Sequence, residues 1–365
     1  MSQKLLLTPG PTEVPATALE AQALPMIHHR TAEFQEILQK AHSGLQQVFK
    51  TKNPVLILAS SGTGAMEASI VNMFSKGDKV IAAHAGKFGE RYAEIAKAYG
   101  LDVVELKEAF GHSFCADDIA VALKEHPDAK GVLTTLLETC TAVVHHIKDI
   151  AAITQKSNAL LLVDAISGLS CDPLEMDAWG IDVVVSGSQK GFMLPPGLGF
   201  ISMNQRARDR MATSDLPKYY FNLAAALKAY AKNDTPYTPA VSLIRGLNAT
   251  LELMLKDGIE AGWQRHSEVA DWVRSKVESM GLKVFGDNLS NAVTTISMPE
   301  GISSGDLIKS MRDEGGVIMA NGQAELKGRV VRFAHMGMTA SLECAQRGFD
   351  AFEKALIKAG FTYTK

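Results

Sequence analysis

Cysteine is scarce in this chain of 365 residues: the four thiols, Cys115, Cys140, Cys171 and Cys344, lie far apart and form no CxxC pair. That spacing offers neither a zinc site nor a disulfide framework, and it reads as the reduced thiols of a cytoplasmic protein. Basic runs are missing too. With a formal net charge of -3 and scattered Lys and Arg, the chain has no electrostatic footprint for nucleic acid or an acidic membrane. Long apolar runs are also absent. Leu5-Leu6-Leu7 precedes a turn and is too short for a signal-peptide core, and no later stretch approaches membrane-spanning length. The pairs His28-His29 and His145-His146 lack a carboxylate at helical spacing and no HExxH occurs, so no metal site is expected.

What is present is alternation. Ala32 to Phe49 has helical periodicity, and Pro54 to Ala59 reads as a buried strand. Gly64 to Phe74 and Phe88 to Tyr99 suit helices; Lys79 to Ala83 and Leu101 to Leu106 suit strands. Gly131 to Thr135, Ala159 to Val163, Ile181 to Val185 and Gly199 to Ser202 are further short runs rich in Val and Leu. Continuous apolar strands separated by helices predict an α/β fold whose mostly parallel sheet is covered on both faces. After about residue 240 the texture shifts to long helices (Val241 to Leu255, Trp263 to Met280), then strand and helix segments ending in Ser341 to Lys358. The expected division is a large domain over 16–250 and a smaller α+β domain over 251–365 joined by 1–15.

Three segments carry chemistry. Ser60-Ser61-Gly62-Thr63-Gly64 follows a strand and opens a helix, where free amides, hydroxyls and the positive helix end favour a phosphate. A third glycine is missing where Glu67 stands and there is no Gly-Lys-Ser/Thr, so a single phosphate fits better than a dinucleotide; a plain Ser-capped turn is the other reading. Asp164 ends Leu161-Leu162-Val163, at the carboxyl end of a buried strand where open α/β sheets bind ligands. Lys190 ends Ser186-Gly187-Ser188-Gln189 after another such strand. Alone, the aspartate reads as a loop cap and the lysine as a solvated charge. Together, a phosphate cradle, a carboxylate and a lysine are the set that pyridoxal 5'-phosphate requires. The lysine holds the cofactor as a Schiff base and the carboxylate keeps the pyridine nitrogen protonated.

The chain resembles the class V aminotransferases, and within them the alanine–glyoxylate and serine–glyoxylate branch. Thr8-Pro9-Gly10-Pro11-Thr12, Ser61-Gly62-Thr63-Gly64, Val163-Asp164, Gly187-Ser188-Gln189-Lys190 with Pro195-Pro196-Gly197, and Val331-Arg332-Phe333 occur in the family's order over nearly the whole chain. The resemblance implies fold type I, a homodimer and sites shared between subunits. It makes Lys190 the Schiff-base lysine, Asp164 the partner of the pyridine nitrogen, and Arg332 the bidentate grip on the substrate α-carboxylate. It assigns Ser61, Gly62, Thr63 and Gln189 to the phosphate, Phe88 to stacking on the cofactor ring, and Thr139 to approach that ring. Either Tyr237 or Thr238 reaches the neighbouring subunit's phosphate. His28 and His29 follow the Pro-Gly-Pro segment that in the family lies by the substrate. His335 lines the pocket or packs, and Arg91, Arg245 and Arg329 read as surface or structural charges.

Transamination between alanine or serine and glyoxylate or pyruvate is the expected reaction. A desulfurase needs a loop cysteine before Arg332, and Gly315 to Arg329 has none. The alternatives left open are a 2-aminoethylphosphonate transaminase and a cofactor-binding subunit of a larger assembly, a label some family members carry.

Overall fold

The structure is a computed structural model that describes residues 4–363. Its main sheet has seven strands: β1 (Val55–Leu58), β2 (Lys79–His84), β3 (Asp102–Lys107), β4 (Gly131–Thr135), β5 (Leu160–Asp164), β6 (Val183–Gly187) and β7 (Gly199–Met203). They lie in the order β1-β7-β6-β5-β4-β2-β3. The neighbours β3/β2, β2/β4, β4/β5 and β5/β6 are parallel, as the alternating pattern predicts. β7 runs antiparallel to both β6 and β1. No helix separates β6 from β7, so the chain reverses through the loop that carries Lys190 instead of crossing over the sheet.

Alternate residues of each strand enter different cores. Leu161, Val163 and Val184 face one apolar layer, while Leu160, Leu162, Val183 and Val185 face the other. Both faces are therefore buried, which is why these strands read as continuous Val/Leu runs. Helix α1 (Ala32–Phe49) contributes Phe34, Leu38, Leu45 and Phe49 to the first layer. Helix α2 (Gly62–Met73) puts Ala65, Met66, Ile70 and Met73 into the second. Helix α3 (Lys87–Ala98) adds Tyr92, Ala93 and Ala96 there.

The C-terminal layer is built on a three-stranded antiparallel sheet of β8 (Val293–Ser297), β9 (Ala320–Asn321) and β10 (Val330–Ala334), in the order β8-β10-β9. Helix α4 (Val241–Leu255) packs Val241, Ile244, Leu247 and Leu251 into the large-sheet core, while α5 (Ile259–Ser279), α6 (Ser304–Glu314) and α7 (Leu342–Lys358) complete this half. Residue 250 lies inside α4; Met254 and Ile259 still pack with the large-sheet core, and the smaller core starts at Val269 within α5. Leu5 and Leu7 belong to that smaller core, where Leu5–Leu6 pairs with Val317–Ile318 and the Ala334 amide donates to the Leu7 carbonyl at 3.1 Å. The N-terminal strand thereby ties the carboxylate-binding candidate on β10 to the segment that runs on to Lys190.

Candidate active site

The carboxyl ends of β1, β5 and β6 point the same way, because β7 is antiparallel to both of its neighbours. The three loops that leave these ends meet. Ser61 is the N-cap of α2, and its side chain makes no capping hydrogen bond, so the first-turn amides are not consumed by it. A Cβ on Gly62 would lie 2.5 Å from Ile166 Cδ1, two residues past Asp164. A Cβ on Gly187 would lie 3.2 Å from Gly62 Cα and 3.3 Å from Gln189 Oε1. Glycine at 62 and 187 therefore lets the helix start, the aspartate loop and the lysine loop close on one another. Gln189 Oε1 is buried there without a hydrogen-bond partner among the described residues, a position that costs free energy until a ligand or water meets the amide.

Asp164 closes β5, and its Oδ1 accepts the Ile166 amide at 2.8 Å. Burial pushes its pKa up to about 7, against that one backbone donor. Lys190 is held from two sides: Thr12 Oγ1 donates to its carbonyl at 2.9 Å, and its own Nζ donates to the Pro9 carbonyl. Gly10, at φ +111°, makes room, since a Cβ there would lie 2.5 Å from Lys190 Cδ and Nζ. Burial, with the Arg332 charge second, lowers the Lys190 pKa to about 8.

Arg332 sits on β10 opposite Thr295 of β8 and Ala320 of β9. Its Nε donates to the Asn321 carbonyl at 2.8 Å and its Nη1 to the Thr139 carbonyl at 3.3 Å. Thr139 Oγ1 is in turn 2.7 Å from Ser167 Oγ, three residues beyond Asp164. The turn after β4 thus links the guanidinium to the aspartate loop. Asp164, Lys190 and Arg332 are 4%, 8% and 6% exposed, and none has an ion-pair partner within 4.0 Å among the described residues. Burying ionisable groups unpaired is expensive, and such groups mark a place where a ligand supplies the missing partner.

Phe88 opens α3, half-buried, with its amide on the Glu138 carboxylate. Arg91 makes structural contacts: its guanidinium lies 5.0 Å from the Phe88 ring centroid and its Nη1 is 3.4 Å from Thr63 Oγ1. Three residues of helical rise between Phe88 and Arg91 carry that signal, which the nearby Lys and Glu residues obscure. Glu138 and Cys140, which flank Thr139, are both buried, and no local pattern in the sequence singles them out. Arg245 is a structural charge, donating to the Pro25 carbonyl at 2.6 Å.

Neither Tyr237 nor Thr238 is hydrogen-bonded to Ser61, Gly62 or Thr63 of its own chain among the described residues. Tyr237 Oη donates to the Tyr219 carbonyl at 2.8 Å, and its ring stacks on Tyr220 at 5.2 Å and Tyr219 at 5.9 Å. Tyr219 is 83% exposed. His28 and His29 stack on each other at 4.9 Å, next to Arg30, which donates to the Thr235 carbonyl at 3.0 Å. His335 packs: it is buried, with Nε2 2.9 Å from Thr294 Oγ1.

A mostly parallel sheet with this edge is the architecture of the pyridoxal-phosphate-dependent aminotransferases. The chain belongs to the class V aminotransferase family, whose model matches residues 15–347 and whose cofactor is pyridoxal phosphate. It is 36% identical to a soluble hydrogenase small subunit of Synechococcus sp., over 98% of this chain and 94% of that one. It is 37% identical to L-aspartate–glyoxylate aminotransferase of Paracoccus denitrificans, over 92% of this chain and 87% of that one. The crystal structure of alanine–glyoxylate aminotransferase from Nostoc sp. superposes with a TM-score of 0.94 at 27% identity, covering 98% of this chain and 96% of that one.

Proposed function

We propose that this aminotransferase moves an amino group between a small amino acid, alanine or serine, and a 2-oxo acid, glyoxylate or pyruvate, with pyridoxal 5'-phosphate held at Lys190. The observation that carries the reading is the meeting, at the carboxyl end of the main sheet, of three buried ionisable groups without ion partners among the described residues: Asp164, Lys190 and, from the smaller sheet, Arg332. The residues fit the cofactor. The orphaned Gln189 amide, turned to present Nε2, and the uncapped start of α2 at Ser61-Gly62-Thr63 suit a phosphate. Asp164 lacks a cation, and a pyridinium N–H supplies one. Phe88 offers a ring for stacking, and Thr139 borders the aspartate loop.

When bound, the cofactor supplies an electron sink for the substrate α-carbon. Every other task falls to the protein. Lys190, its pKa lowered to about 8, presents a neutral amine at mildly alkaline pH, holds the cofactor covalently and then moves the proton at the α-carbon. Asp164 keeps the ring nitrogen charged. Arg332 orients the substrate through its α-carboxylate with the donors that Asn321 and Thr139 leave unused. Exposed Tyr219 and Tyr220, stacked with half-buried Tyr237, support a homodimer in which Tyr237 or Thr238 reaches the partner's phosphate site. Four free thiols fit a reducing compartment, in keeping with the cytoplasm.

A second reading comes from the Synechococcus relative, described as a hydrogenase subunit: the chain would work within a larger assembly. The complete Lys190, Asp164 and Arg332 set favours catalysis in that setting as well. Assaying alanine, serine, aspartate and 2-aminoethylphosphonate as donors to glyoxylate and pyruvate decides the matter. The proposal expects alanine or serine with glyoxylate to turn over fastest. Preference for 2-aminoethylphosphonate, which has no α-carboxylate, would remove Arg332 from the assigned role, and no turnover with any donor would favour the assembly reading.

A further inference from the structure

Glu138 stands apart from every role assigned so far. It ends the short strand that follows β4 and is wholly buried, yet it has no cationic partner within ion-pair distance among the described residues. Its carboxylate is instead wrapped in N–H and S–H donors. Phe88 N is 3.2 Å from both oxygens, Gly89 N is 3.1 Å from Oε2, and Cys140 Sγ is 3.1 Å from Oε1. The N-cap of helix α3 is Gly86, which has no side chain with which to cap the first turn. A Cβ at Gly86 would lie 2.5 Å from Glu138 Cγ and 2.6 Å from Cys140 Sγ, so glycine there admits a carboxylate from outside the helix. The same turn gives its Thr139 carbonyl to Arg332.

We infer that Glu138 is a positioning residue: its carboxylate serves α3 as an external N-cap, fixes Phe88 for stacking on the cofactor ring, and ties that ring face to the turn that steadies Arg332. The inference rests on the cofactor reading above for its consequence, though not for its geometry. Capping from outside matters because a helix start left with free amides frays, and Phe88 stands on that first turn. A negative end group also suits the positive end of the helix. Burial pushes the Glu138 pKa up, and the Gly89 amide, the Cys140 thiol and the Phe88 amide pull it back. All three donors are satisfied by the ionised form.

Two conservative variants separate reach from charge. Glu138→Gln keeps an oxygen at the Oε2 position that both amides share. Glu138→Asp keeps the charge but withdraws both oxygens by one methylene. In cofactor-free protein, amide hydrogen exchange at Phe88 and Gly89 should stay slow in Glu138→Gln and quicken about tenfold in Glu138→Asp, the scale of one lost cap. In titrations of the cofactor-free protein with pyridoxal phosphate, Glu138→Gln should bind within about threefold of the parent and Glu138→Asp about tenfold more weakly, as loss of an aromatic contact does. Phe88→Ala should match the Asp variant, and the double variant should be no weaker than Phe88→Ala alone, because both remove one interaction. Equal behaviour of Asp and Gln, a weaker Gln, or losses that multiply in the double variant would overturn the inference. A parent that takes up no cofactor would sink the proposed function instead, and the exchange measurement alone then decides the cap.

Discussion

A carboxyl with no counterion in an apolar interior resists ionisation, and Asp164, pushed up to about 7 by burial, is in that position until a cationic ring nitrogen faces it. The sign follows from linkage. With the folded pKa raised above the unfolded value, the penalty is absent below the unfolded value of 3.8, grows as the pH rises, and is complete above about 7. Asp164→Asn should therefore make the cofactor-free protein more heat-stable at pH 8, by an amount that shrinks as the pH falls toward 4; thermal unfolding across that range measures it. The same change should slow turnover severely, raising the barrier by roughly 3–5 kcal/mol, the scale of a lost electrostatic stabiliser. Arg332→Ala should raise KM or lower kcat for every amino acid and 2-oxo acid alike, while Arg332→Lys restores part of the loss because charge returns without the fork. Steady-state kinetics on both half-reactions test this, and a variant that loses only one substrate would contradict a common carboxylate grip. At this scale Asp164 and Lys190 were legible only as a set, from their places at and just beyond the ends of apolar strands, and Arg332 through the family resemblance. Arg91, Glu138 and Cys140 were not. Arg91 lies among ordinary helix charges, and the importance of Glu138 comes from a contact across 50 residues that no local pattern announces.

Among the elements, most long amphipathic or wholly apolar segments were readable to within a residue or two, though the helix expected from Trp263 starts four residues earlier, at Ile259. Ala32–Phe49, Gly131–Thr135 and Val241–Leu255 fall where periodicity puts them. Helices Ala116–Glu125 and Ile147–Thr154 were not singled out, being short, with much of their surface polar. The antiparallel course of β7 was equally hidden, because a buried strand looks the same in either direction. What periodicity cannot show is how closely the loops approach, and Gly62 illustrates this. Gly62→Ala would set a methyl 2.5 Å from Ile166 Cδ1. Moving that side chain should cost about 1–3 kcal/mol. The expected outcome is weaker retention of pyridoxal phosphate on dialysis, with activity recovering at high cofactor concentration; unchanged retention would place the phosphate elsewhere.

For the whole molecule, Tyr237 and Thr238 make no hydrogen bond to their own Ser61, Gly62 or Thr63 among the described residues, and Tyr237 stacks with exposed Tyr219 and Tyr220. The proposed homodimer gives them a phosphate to meet on the other subunit. Mixed dimers test this directly. Lys190→Ala and a Tyr237→Ala/Thr238→Ala double variant, each inactive or weak alone, should regain activity when refolded together, because one of the two sites in the hybrid is then intact. Sedimentation of the parent at micromolar concentration should show a dimer, and a fully active monomer would refute a shared site. This arrangement was legible only through family resemblance, since nothing in one chain's periodicity reports a second chain.

The central claim is that Lys190 carries the cofactor, and chemical reduction tests it most directly. Protein saturated with pyridoxal phosphate is treated with borohydride, digested, and searched for the pyridoxyl-modified peptide. The account predicts modification at Lys190, prevented when alanine or serine is added before reduction because the donor takes the lysine's place on the cofactor. Modification at a different lysine, or protein that binds no reducible cofactor, would contradict it.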